Sequence, residues 1–337
     1  MRLADFDYHL PDASIAQVPI EPRDAARLLV DHGSRPPSHR HVRDLPELLG
    51  PDDLLVVNDS KVIPARLRLQ RHSGGAVEIL LLEPLDASRR EWEALARPAR
   101  KLAVGERLHT PAGIELVEVG ERTTAGDTLR VSIVTDGDPL DALERHGEMP
   151  LPPYITERLD RPDRYQTVYA RDPASSAAPT AGLHFTPELL STLTERGVGI
   201  ATVELVVGLD TFKPISVDDP LQHPIHSERY SVPEDLLERC ATARRTVAVG
   251  TTAVRALESA AATGRLEGRT SLFIHHGHDW QVVDLMMTNF HLPRTTLLMM
   301  IDAFVGARWR SLYDTAIRSG YRFLSFGDAM LLDRQAA

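Results

Sequence analysis

Between Ala65 and Gly137 the chain breaks its own pattern. Helix-length and strand-length apolar stretches give way to short β-like runs at residues 65–70, 76–82, 91–96, 114–119 and 128–135. Turn signals such as Ser73-Gly74-Gly75 and Asp136-Gly137 separate them, and short strands punctuated in this way close into a small antiparallel barrel or sandwich. On the C-terminal side, residues 200–207, 246–249, 272–275 and 282–287 read as strands, alternating with helices at 187–196, 233–244, 253–262 and 295–305. The expectation is a large α/β domain, barrel-like or layered, made of residues 1–64 and 151–337 and interrupted by a small antiparallel β-barrel of residues 65–150. A chain of 337 residues, 42% hydrophobic, is long enough for both cores.

Two histidine-bearing turns stand out, Pro179-Thr180-Ala181-Gly182-Leu183-His184-Phe185 and Thr288-Asn289-Phe290-His291-Leu292-Pro293. Thr186-Pro187-Glu188 starts a helix directly behind His184, with Gly197 as its stop. The apolar run at 281–287 reads as a buried strand, which puts His291 at a strand's carboxyl end, where open α/β folds place ligands. The two turns are therefore expected to face one cleft. Ala174-Ser175-Ser176-Ala177-Ala178, the low-complexity stretch before the first turn, is expected to be a mobile lid.

Gly250-Thr251-Thr252 follows the strand at 246–249 and opens a helix through Arg255, so its backbone N–H groups can hold a carboxylate or phosphate. Read from spacing alone, it is first of all an ordinary turn with a threonine cap. GxxxxGK[ST] and GxGxxG at a strand-to-helix junction are missing, which argues against nucleoside triphosphates and nicotinamide cofactors. Asn58-Asp59-Ser60-Lys61 ends an apolar strand and is either a polar site or a common turn. His226 and Glu228, two residues apart, can pair a base with a carboxylate or simply share a strand surface. Met286, Met287, Met299 and Met300 read as core.

A single cysteine, Cys240, excludes an internal disulfide, and no metal-ligand spacing accompanies it. His275-His276-Gly277-His278 lacks nearby cysteines or paired carboxylates, so no metal is expected. Met1–Leu10 is charged and no apolar run reaches the roughly 20 residues of a membrane span, which suggests a soluble, cytoplasmic protein without membrane attachment. A formal net charge of -10 disfavours general nucleic-acid binding. Cations nevertheless outnumber acids between Lys61 and Arg107, giving either a local face for structured RNA or a salt-bridged surface.

Blocks along nearly the whole chain resemble one family. They include Asp5-Phe6-Asp7-Tyr8, Glu21-Pro22-Arg23-Asp24, Asn58-Asp59-Ser60-Lys61-Val62-Ile63-Pro64-Ala65-Arg66-Leu67 and Gly147-Glu148-Met149-Pro150-Leu151-Pro152-Pro153-Tyr154-Ile155. Tyr165-Gln166-Thr167-Val168-Tyr169-Ala170, both histidine turns, Val249-Gly250-Thr251-Thr252 and Phe326-Gly327-Asp328-Ala329-Met330 continue the series. The sequence resembles the S-adenosylmethionine:tRNA ribosyltransferase-isomerases of queuosine biosynthesis.

The resemblance implies transfer of the ribosyl part of S-adenosylmethionine onto 7-aminomethyl-7-deazaguanine at the tRNA wobble position. Adenine and methionine leave, and the ribosyl becomes an epoxycyclopentane. S-adenosylmethionine is then a consumed substrate and no separate cofactor is expected. A monomer meeting this tRNA is expected, without metal or membrane.

In this reading His184 and His291 are candidates to remove an acidified C5' proton, because neutral imidazole suits that task. His226 with Glu228 forms a second acid/base pair. Gly250, Thr251 and Thr252 take the methionine carboxylate, supported by Arg255. Asn58, Asp59 and Arg66 contact the modified base or its phosphates, and Thr180, Gly182, Phe185, Gly208, Thr211, Thr288 and Asn289 complete the substrate site. Lys61, Arg97, Arg100 and Lys101 suit the tRNA backbone. Asp210 stands where the family carries glycine, His275–His278 where a Tyr-Pro-Gly-Tyr-like stretch is usual, and Ser176 where a small apolar residue is common. Asp210 and the acidic balance motivate one rival, a paralogue acting on a free 7-deazaguanine or other small acceptor. The basic β segment motivates another, a tRNA-binding protein without chemistry.

Overall fold

The computed structural model describes residues 1–123, 128–208, 215, 217–223, 225 and 227–335. The chain starts a large sheet with β1 (Arg27–His32) and β2 (Arg35–His41), then adds α1 (Leu45–Leu48) and β3 (Asp53–Asn58). After β4 (Lys61–Val62) come β5 (Arg66–Gln70), β6 (Ala76–Pro84), β7 (Glu91–Arg97), β8 (Arg107–His109), β9 (Glu115–Arg122) and β10 (Leu129–Ile133). Then follow α2 (Pro139–His146), β11 (Pro173–Ser175), α3 (Pro187–Glu195), β12 (Gly199–Leu205), β13 (Glu228–Ser231) and α4 (Leu236–Thr242). The chain continues with β14 (Arg245–Val249), α5 (Gly250–Thr263), β15 (Glu267–Thr270), β16 (Leu285–Asn289), α6 (Thr296–Val305), α7 (Arg308–Arg318) and β17 (Ala329–Asp333).

Strands β5 to β10 close an antiparallel barrel in the order β10-β7-β6-β5-β8-β9. Alternation drives closure: along β7 the side chains of Trp92, Ala94 and Ala96 are buried while those between them face outward. Leu143 and Ala142 of α2 join this core. The three-residue β8, too short to carry a periodic signal, was not anticipated.

The other core is layered. Nine strands run in the order β15-β13-β12-β3-β14-β16-β17-β1-β2, with parallel pairing through β12, β3, β14 and β16. Leu54 and Val56 of β3 pack with α5, α6 and α7, whereas Leu55 and Val57 pack with α1 and α3 on the opposite face. Both faces are covered, which explains why β3 reads as a continuous apolar run. Pro36 and Pro37 lie in β2, the last strand of the sheet, where a missing N–H costs no ladder bond. At the start of β3 the buried Asp53 accepts from Arg244 and Arg245. Burial alone would raise its pKa, but the Arg245 and Arg244 guanidiniums bring it down to about 2.

Three local expectations fail. Residues 272–275 form no strand; the edge strand is instead β15, and after it the Leu272 N–H donates to Thr270 Oγ1. Strand β16 begins at Leu285 because the N–H groups of Gln281, Val282 and Val283 turn away to donate to the fully buried Glu258 carboxylate of α5, each at 3.0 Å. The stretch 174–178 is no lid. Its strand pairs with β4, Ser175 Oγ donates to the Ala177 carbonyl and accepts from Val207 N–H, and Ser176 Oγ donates to the Val207 carbonyl.

Candidate active site

The loopless junction of β14 and α5 forms one wall of the main cavity. Gly250 adopts a φ of +85°, a backbone state that favours glycine, and packs against the Ala181 side chain of the first histidine turn. No side chain caps α5 at Val249, which leaves the N–H groups of its first turn available. Thr252 Oγ1 is buried without a hydrogen-bond partner, and both Thr251 and Thr252 line the cavity. An ordinary capped turn would have neither property.

The opposite wall comes from the end of β16. Thr288 Oγ1 lies 3.2 Å from His291 Nε2, the His291 N–H donates to Tyr313 Oη at 3.0 Å, and Tyr8 Oη donates to the His291 carbonyl. Tyr8, Trp309, Phe290 and Phe323 pack edge-on around Tyr313 behind this turn, and Phe290 stacks on Phe323. Burial lowers the His291 pKa to about 3, so the ring is neutral at pH 7. Tyr154 and Ser325, joined by a 2.7 Å hydroxyl contact, complete the lining with Thr180, Asn289, Leu292 and Leu297. The space between these walls is a cleft of about 600 Å³, open solvent at its mouth included.

His184 does not share this cavity. It lines a smaller neighbouring pocket and reaches the first through Asn289. Asn289 Nδ2 lies 3.3 Å from the Asp328 carbonyl, which can only accept, so the amide orientation is fixed. That same Nδ2 donates to His184 Nε2 at 3.1 Å, leaving the imidazole proton on Nδ1, while Thr180 Oγ1 donates to Asn289 Oδ1 at 3.0 Å. Burial, then the charges of Arg322, Arg23 and Arg164, lower the His184 pKa to about 4. Both turns face one cavity, as expected, but their imidazoles stand on different sides of an oriented amide: His291 lines that cavity and His184 the pocket beside it.

Other expected residues are placed elsewhere. Phe185 is a core residue beneath Tyr169, and Gly182 is required because a Cβ would collide with the Tyr169 hydroxyl. Asn58 is fully buried and committed to backbone, donating to the Leu205 carbonyl and accepting from Ser60 and Leu205 N–H. Asp59 is buried against Thr202 and Arg171, and its pKa rises through burial. Arg255 pairs with Glu228, so neither is free to act as a carboxylate clamp or a lone acid. Gly208 adjoins open space, and Thr211, His226 and Asp210 lie outside the described residues.

Among the barrel cations, Arg66, Arg68, Arg71 and Arg107 face Glu78, Glu148, Glu106 and Glu115. Lys61 is half-buried in β4. Arg97, Arg100 and Lys101 are exposed and have no carboxylate in ion-pair range among the described residues. Among those residues no cluster of three or more His, Cys, Asp or Glu could hold a metal ion, and no helix is long and apolar enough to cross a membrane.

Sequence reasoning missed Ser325 and the roles of Glu258 and of Asp328, whose carboxylate accepts Arg27 and Arg322 N–H. Only Asp328 lay within a motif. Leu324, beside Ser325, has a φ of 69°, a backbone state that leucine spacing does not announce.

Fold and cavity together define an α/β protein with an inserted barrel, whose main cavity lies between an uncapped helix start and a buried imidazole. The family model described as "Queuosine biosynthesis protein" matches residues 3–332. The chain belongs to that family, the family of the S-adenosylmethionine:tRNA ribosyltransferase-isomerases. The ribosyltransferase-isomerase of Symbiobacterium thermophilum is 50% identical over 343 residues, covering 98% of this chain and 100% of its own. That of Thermus thermophilus is 50% identical over 346 residues, covering 98% and 99%. The crystal structure of S-adenosylmethionine tRNA ribosyltransferase from Thermotoga maritima, 36% identical, matches 97% of this chain and 99% of that one with a TM-score of 0.55.

Proposed function

We propose that this protein transfers and isomerises the ribosyl moiety of S-adenosylmethionine onto 7-aminomethyl-7-deazaguanine at the tRNA wobble position. The product is epoxyqueuosine-tRNA, with adenine and methionine released. The observation that carries the site assignment is the neutral His291 ring opposite the uncapped start of α5 in one cavity.

S-adenosylmethionine lies across that cavity, its methionine carboxylate on the N–H groups of Gly250–Thr252 and the Thr252 hydroxyl. The sulfonium acidifies the adjacent C5' protons. Burial keeps the His291 ring unprotonated beside the sulfonium, so its free nitrogen is available to accept, and His291 removes the proton. Thr288 holds the ring through Nε2. His184 acts through Asn289 as a positioning residue. Arg97, Arg100 and Lys101 take tRNA phosphates, away from the chemistry.

Mass spectrometry of the anticodon nucleoside, after incubation with S-adenosylmethionine and tRNA bearing the aminomethyl base, tests this. Epoxyqueuosine is the expected product. Turnover of the free base with no change in the tRNA would overturn the proposal in favour of a small-acceptor enzyme.

A further inference from the structure

The pocket behind the main cavity carries chemistry that ribosyl transfer, as assigned above, does not use. Arg23 and Arg164 line it with His184 and the turn Ser325-Phe326-Gly327. Arg23 belongs to the Glu21-Pro22-Arg23-Asp24 block, to which no role has fallen. Its guanidinium donates to the carbonyls of Gln166, Leu183 and Asp163 and meets no carboxylate in ion-pair range among the described residues. Arg164 is 5% exposed, donates to the Ile20 carbonyl and pairs only with Glu21, whose side chain is 60% exposed.

Arg322 donates to the Val18 carbonyl, and Asp328, which acts on it, commits its two oxygens to backbone N–H groups at 2.8 Å each. Burial, and after it the charge of Arg164, lowers the Arg23 pKa; burial also lowers that of Arg322. Arg164 repels Arg23, while Glu21 and Asp163 act on Arg23, and Asp328 on Arg322, with the opposite sign. His184, with Nε2 occupied, presents Nδ1–H as a further neutral donor.

We infer that this pocket holds one phosphodiester of the polynucleotide substrate, next to the nucleotide being modified. The inference rests on the function proposed above. A phosphate is favoured over the methionine carboxylate because the two pockets share only Ser325, and Gly250, Thr251 and Thr252 line the main cavity alone. Guanidiniums that donate in forks match a phosphate's paired oxygens. The tRNA strand then passes over residues 19–23 as it delivers its base to the nucleoside cavity.

The test uses the full-length protein with Arg23→Gln, Arg322→Gln and Arg23→Lys. In Arg23→Gln, kcat/KM for tRNA should fall about tenfold, and the slope of log Kd for tRNA against log salt should shrink by about 0.7–0.9. The KM for S-adenosylmethionine should stay within about twofold, and Arg23→Lys should recover most of the slope. Arg322→Gln keeps the lining intact and should show the same direction of change if Arg23→Gln proves poorly folded.

Without tRNA, millimolar inorganic phosphate should raise the unfolding midpoint of the wild type and not of Arg23→Gln. A raised KM for S-adenosylmethionine with unaltered tRNA binding would assign the pocket to a carboxylate and overturn the inference. An unchanged salt slope, or no stabilisation by phosphate, would make the arginines purely structural. If the wild type binds phosphate and tRNA as described yet forms no epoxyqueuosine, the functional proposal falls while the anion site stands.

Discussion

Glu258 offers the sharpest quantitative test of how the site is held. Its carboxylate is fully buried on α5 and accepts the N–H groups of Gln281, Val282 and Val283 at 3.0 Å, with His278 Nε2 at 3.4 Å. Replacing Glu258 with Ala removes three bonds to a charged acceptor. The Gln281 N–H is exposed and rehydrates, but the Val283 N–H is buried and is left without a partner. An orphaned buried donor costs about 1–3 kcal/mol, and the lost charged bonds and the small void add to it, so about 3–5 kcal/mol is expected.

Glu258→Gln keeps one acceptor oxygen and should cost about half as much. Urea unfolding at pH 7, with the m-value unchanged, measures both. The segment leads directly into β16, which carries Thr288 and Asn289, so kcat should fall with stability. A loss below about 1 kcal/mol in Glu258→Ala would refute the claim that this carboxylate organises the approach to the site.

Removing the imidazole in His291→Ala should abolish adenine release while tRNA affinity in a filter-binding assay stays nearly intact; undiminished release would strike His291 from the mechanism. Charge reversal at Arg100 and Lys101 should weaken tRNA binding and lower its salt slope by about 1 per residue, and an unaltered slope would place the RNA elsewhere. Thr252→Val should raise the KM for S-adenosylmethionine several-fold; an unchanged constant would return the orphan hydroxyl to the core. For pH, burial holds His291 at about 3 and His184 at about 4, below the ordinary imidazole value of 6.5, so the unfolded chain binds more protons between these limits. Stability should therefore fall by a few kcal/mol as pH drops from about 6.5 towards 4, with no loss of activity from their protonation above about pH 5. An acid limb near 6.5 reporting either histidine would contradict their burial.

The barrel, the parallel strands and the helix starts were readable because each is a local pattern. Thr186 accepts from Leu189 N–H and Thr295 from Leu298 N–H, as their positions before apolar runs suggest. Helix α7 was passed over although Trp309, Leu312, Tyr313 and Ala316 have helical spacing, because arginines and hydroxyls between them dilute the apolar signal. At the site, the Gly250 turn and His291 were legible from sequence. The separation of His184 was not, because it depends on which carbonyl faces Asn289, a fact set by residue 328. Arg255 and Glu228 each looked available alone. Their pairing joins a helix to a strand 27 residues away, and nothing local signals it.

The placement of β17 sets an order of assembly during synthesis. The barrel is built from one continuous stretch and can close soon after it leaves the ribosome. The sheet cannot: β17 lies between β1 and β16, so β1 waits for β17 before that part of the sheet is continuous. Both pockets border the segment just before β17, so neither is complete until β17 has been made, well after the barrel strands have left the ribosome.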